Sequence, residues 1–123
     1  MHLELTKEEK QQITDYVLLM LGAPVIKIEL DPQQLDLVLA ETINIVDERL
    51  NCVPEDKVRK TCLRLVQEGA LVHAKIVLGR IRSKFQSPPG PGGRIILDGK
   101  QLLKEASEDM TCWTEKLDTI FPR

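Results

Sequence analysis

Three cysteines, two histidines and one glycine cluster are where side-chain chemistry would first be sought in this chain. Cys52, Cys62 and Cys112 are spaced by 10 and 50 residues with no histidine close in sequence, so neither a zinc-ligand spacing nor a disulfide framework emerges. Each falls where a small apolar residue would serve, which predicts reduced, partly buried thiols of an intracellular protein. His2 lies next to the first residue, and His73 sits between Val72 and Ala74 in a helical pattern, the setting of a structural or surface histidine. The cluster Gly90, Gly92 and Gly93 lacks the Gly-Lys-Ser/Thr ending of a phosphate loop and follows prolines, not a strand. No serine nucleophile elbow, histidine pair or metal-binding carboxylate and histidine set can be assembled. The expectation is a protein without catalytic residues, metal or cofactor. An enzyme would need a site formed between subunits.

The remaining chemistry is charge. Lys75, Arg80, Arg82, Lys84 and Arg94 form a basic run that could touch a nucleic-acid backbone, although solvated helix ends produce such runs as well. Any such binding would ignore base sequence and weaken steeply with salt, because it releases counterions from phosphates. The net charge of -2 conceals three blocks: 12 acids and 4 bases in residues 1–56, 2 and 11 in 57–104, and 5 and 2 in 105–123. Those blocks carry -8, +9 and -3. They can fold against one another in a monomer, pair between neighbouring copies in a ring, or turn the basic surface to nucleic acid.

A chain of 123 residues has the length of one domain, with about two thirds of its unfolded surface available for burial. Hydrophobic residues are 42% and charged residues 29%, with no long apolar run and no basic start leading into one, which predicts neither a membrane span, nor a secretory signal, nor wholesale disorder. The four aromatics, Tyr16, Phe85, Trp113 and Phe121, are too few for the stacking platforms of single-stranded nucleic acid or sugar sites.

The positioning elements are mainly helical. Thr6 and Glu9 form a capping-box pattern ahead of Ile13, Tyr16, Val17, Met20 and Leu21, and Gly22-Ala23-Pro24 stops this first helix, giving 7–21. Val25, Ile26, Ile28 and Leu30 alternate with Lys27 and Glu29 as a short extended segment over 25–30. Asp31, Pro32 and Gln34 open a second helix, 32–50, whose apolar positions cover more than one face. Pro54, Glu55 and Asp56 open a third, 54–85, with stripes through Cys62, Leu65, Gly69, Val72 and Ile76 and through Val66, Ala70, Val77 and Ile81. A helix of that length spans about 46 Å, more than a compact chain of this size, so it bends at Gly69 or Gly79 or it protrudes.

Residues 87–93, Ser-Pro-Pro-Gly-Pro-Gly-Gly, exclude helix and read as a hinge loop inside one domain, 1–123, rather than as a boundary. Arg94, Ile95, Ile96 and Leu97 form a second extended piece, 94–97, that can pair with 25–30. The last helix, 99–121, carries a heptad seam through Leu103, Ala106, Met110, Trp113, Leu117 and Ile120, suited to a groove in its own bundle or in another chain. Together the apolar faces exceed what one copy can hide, which predicts cover from neighbours.

The order of these segments resembles the head-to-tail connector proteins of tailed bacteriophages, also called adaptor, neck or head-completion proteins. The residues that carry the resemblance are Leu21-Gly22-Ala23-Pro24, Val25-Ile26-Lys27-Ile28-Glu29-Leu30, Asp31-Pro32-Gln33-Gln34-Leu35 and the Pro-Gly-Gly loop running into Ile96-Leu97-Asp98-Gly99. It extends from about residue 5 to about residue 117 and rests on structural, not catalytic, motifs. The resemblance implies a helical subunit made in the host cytoplasm and built into the virion neck, forming a homo-oligomeric ring, usually a dodecamer. Such a ring joins the portal protein to tail or neck proteins below and passes DNA through its lumen. It further implies portal docking through a terminal segment, here Met110, Trp113, Leu117, Ile120 and Phe121, and a lumen faced by Arg80, Arg82, Lys84 and Arg94. A small helical DNA-binding regulator is the alternative; it needs a polar recognition helix after the turn at 51–53, and the helix there is strongly apolar.

Overall fold

A computed structural model of the chain describes residues 4–23, 28, 30–49, 55–84 and 99–121, the side chains of 55–59 and 84 apart. Four helices follow in order: α1 Lys7–Leu21, α2 Pro32–Arg49, α3 Glu55–Lys84 and α4 Gly99–Ile120. The predicted helices stand, each end within a residue of its expected place. Local chemistry fixes those ends. Thr6 Oγ1 accepts from the Glu9 N–H at 3.2 Å while the Thr6 N–H donates to Glu9 Oε1 at 2.9 Å, a reciprocal capping box. Gly22 ends α1 in the left-handed region at φ 116°, where a Cβ would clash with its own backbone. At the start of α2 the Asp31 N–H donates to Gln34 Oε1 at 2.9 Å.

Among the described residues there is no strand. Ile28 and Leu30 belong to neither helix nor strand, and the rest of 25–30, the whole of 94–97 and the hinge segment 87–93 lie outside the described residues. The two expected extended segments are therefore unsupported. A period-two pattern five or six residues long needs a paired neighbour to become a strand, and none is described beside Ile28 or Leu30.

One core draws on all four helices: Ile13 and Val17 of α1, Leu35, Val38, Leu39 and Val46 of α2, Cys62, Leu65, Val66, Ala70 and Ala74 of α3, and Trp113 and Leu117 of α4, closed by Phe121. The central element is α3, which packs against each of the other three. With three helices packed around it, α3 buries more than one face within a single copy. It runs as one 30-residue helix through both glycines. Neither serves as a break; each is a point of close approach. A Cβ on Gly69 would stand 2.3 Å from Trp113 Cζ2 and 2.7 Å from Thr42 Cγ2, and one on Gly79 would stand 2.9 Å from Leu103 Cγ.

The apolar surplus is smaller than the stripes suggested. Among the described residues the large exposed apolar side chains are Leu19, Met20, Leu37 and Ile120. The cysteines also divide: Cys62 is buried, Cys112 is exposed, and Cys52 lies outside the described residues. Cys112 precedes the buried Trp113 by one position, and a step of about 100° around the helix turns it off the packed face.

Candidate functional site

The α3–α4 pair is antiparallel, with Gly69 beside Trp113, Lys75 beside Asp109, Gly79 beside Leu103 and Ser83 beside Gly99. At its centre sits a polar junction of three helices. The Trp113 indole N–H donates to the Leu65 carbonyl at 2.9 Å. The His73 ring stands edge-on to that indole, centroids 5.8 Å apart and planes at 87°. Thr42, wholly buried, donates its hydroxyl to the Val38 carbonyl at 2.9 Å. That leaves its oxygen to accept from His73 Nδ1 at 3.1 Å, and the same N–H also reaches the Gly69 carbonyl at 2.7 Å. With a carbonyl as its nearer partner, Nδ1 is the donor in this network. Every polar atom named here is satisfied within the bundle, so His73 is a structural residue.

The seam of α4 is turned inward by this register. Trp113, Leu117 and Phe121 lie in the subunit's own core, Met110 is half-buried against it, and Ile120 remains 39% exposed. Three of the five residues expected to dock on a portal therefore face the protein's own interior. Charge follows the same register. Lys75 bonds Asp109 at 2.8 Å and approaches Glu105 at 4.0 Å, Lys116 bonds Glu68 at 2.8 Å, and Arg49 of α2 bonds Asp118. Lys75, part of the sequence's basic run, is thereby spent inside the subunit.

Of the four residues expected to face DNA, Arg80 is exposed, Arg82 is half-buried, the Lys84 side chain is not described, and Arg94 lies outside the described residues. The antiparallel register adds two cations that sequence reasoning missed. Lys100 and Lys104, exposed on the first turns of α4, lie at the end of the pair where Gly79 meets Leu103. A sequence signal existed: between Gly69 and Lys104 the chain has seven bases and a single acid, Asp98.

A second missed surface is the outer face of α2. Its exposed members after Gln33 are Asp36, Leu37, Ala40, Glu41, Asn44 and Glu48, with no base among them, and Leu37 is 61% exposed. Beside it a groove of about 690 Å³ runs between the start of α1 and α2, lined in part by Glu4, Leu5, Lys10, Asp36 and Ile43. Among the described residues no group of histidine, cysteine and carboxylate side chains could hold a metal ion, and no helix is long and apolar enough to cross a membrane.

These features define a small helical-bundle protein whose conspicuous surfaces are an acidic face on α2 and a basic end of the α3–α4 pair. Residues 5–52 match the family model of the bacteriophage T4 neck protein gp13, a span that takes in α1, α2 and the segment between them. The match supports a phage neck or connector protein with a structural role, as the resemblance in the sequence implied. No curated protein and no solved structure matches the chain.

Proposed function

We propose that this chain is a structural, non-enzymatic component of a tailed-phage neck, where copies of it form a ring that joins the capsid portal to the tail and leaves a lumen for DNA. The observation that carries the reading is the neck-family match over 5–52, which falls on α1 and on α2, the helix that bears the acidic face. The charge distribution supports it: a subunit acidic on one helix and basic at another end offers two different, complementary patches, as a head-to-tail contact needs. Portal and neck or tail proteins are the partners, the virion neck is the location, and the dodecamer is the expected ring. In the DNA-binding regulator, α3 would be the recognition helix, yet it packs against all three other helices.

Mixing the purified protein with portal rings and imaging by negative stain tests this reading. The expected result is an extra annulus stacked on the portal. Portals that stay bare, with a protein that also fails to bind assembled necks, would refute it.

A further inference from the structure

We propose that the outer face of α2 docks on the Arg80, Lys100 and Lys104 end of a second copy of this chain. This names the subunit contact of the ring and rests on that reading. Four observations converge. First, Asp36, Glu41 and Glu48 of α2 and Arg80, Lys100 and Lys104 of the α3–α4 end are exposed. Second, none of the six has a hydrogen-bond or ion-pair partner among the described residues, whereas charges where α4 faces α2 and α3 are paired. Third, each set is dominated by one sign: the exposed side chains of α2 include no base, and between Gly69 and Lys104 the chain has seven bases against the single acid Asp98. Fourth, Leu37 stands on the same face between Asp36 and Glu41 at 61% exposure, an apolar side chain that the subunit leaves uncovered.

Opposite unpaired faces on one chain make each copy complementary to the next, so a single kind of partner covers both. A contact that joins different patches of the two partners is heterologous, and repeating it closes a ring when the rotation divides a full turn. Nucleic acid would account for the basic end alone. It would be repelled by α2 and would leave Leu37 uncovered. The charges steer and register the encounter, and the leucine supplies apolar burial.

Charge reversal separates the outcomes. Asp36→Lys with Glu41→Lys inverts the acidic face, and Arg80→Glu with Lys104→Glu inverts the basic end; all four side chains are exposed, so unchanged circular dichroism is the folding control. Sedimentation equilibrium should show wild-type self-association that weakens with salt, and about tenfold or greater weakening in either variant. An equimolar mixture of the two variants should recover association, because each inverted face then meets its inverted partner. If both variants associate like the wild type, or the mixture recovers nothing, the contact lies elsewhere and this assignment falls while the neck reading stands. Should the basic-end variant instead lose duplex-DNA binding with self-association intact, nucleic acid is the occupant and the assignment falls. A wild-type chain monomeric at every concentration and low salt also overturns it, and portal stacking then decides the neck reading separately.

Discussion

Gly69 of α3 and Trp113 of α4 are in direct contact, so close that a single added carbon on Gly69 would stand 2.3 Å from the indole. The indole N–H then bonds the carbonyl of Leu65, one turn back on α3. This contact sets the register of the two longest helices and draws Thr42 of α2 into the same junction.

Gly69→Ala should therefore destabilise the protein. Alanine gains about 1 kcal/mol of helix propensity over glycine, but overpacking a buried site costs roughly 1–3 kcal/mol, and the obstacles here are an indole and a methyl group fixed on two other helices. Thermal unfolding should show a lower Tm than the wild type. An equal or higher Tm would mean that the indole moves aside.

Thr42→Val keeps the shape of a fully buried side chain and deletes its hydroxyl. The His73 N–H retains the Gly69 carbonyl as acceptor, so little is orphaned. Two hydrogen bonds go with the hydroxyl, one to the Val38 carbonyl and one from His73, and at about 0.5–1.5 kcal/mol net each the loss should be about 1–3 kcal/mol. Urea unfolding measures it, and a loss several times larger would mean that His73 leaves the junction.

Thr6→Ala removes one half of the α1 capping box and should destabilise by about 0.5–2 kcal/mol. Hydrogen exchange should localise the effect to the first turn of α1, where the Glu9 N–H loses its acceptor. Uniformly faster exchange would instead assign Thr6 a role in the whole core.

Asp109→Asn breaks the ion pair with Lys75, whose side chain is 19% exposed against 44% for Asp109. An aspartate so open to solvent gains little from pairing, and the change should cost no more than about 1 kcal/mol. The difference from wild type should shrink as salt shortens the screening length from about 10 Å near 0.1 M to about 3 Å near 1 M. A difference that ignores salt would point to packing in place of charge.

The helices were legible because their ends are local events: Thr6 with Glu9, Gly22 before Pro24, Asp31 with Pro32 and Gln34. What local patterns could not decide was where each stripe goes. The α4 seam reads equally well as a portal-docking face or as core. Only its register against α3, fixed by Gly69 from across the chain, turns Trp113, Leu117 and Phe121 inward. Leu37 escaped notice for the converse reason: placed between Leu35 and Val38, it looks like one more core position. Its exposure emerges once α3 takes the opposite side of α2. Lys100 and Lys104 escaped because their proximity to Arg80 arises from the antiparallel return of the chain, which linear charge counting does not see.

Trp113 is the chain's only tryptophan, and it is seated in the three-helix junction, away from α2's outer face and the cationic tip. Nature has thus installed a spectroscopic beacon that responds to unravelling of the bundle and stays silent when intact subunits meet. Intrinsic fluorescence and sedimentation, run side by side on one sample, therefore report two separable events.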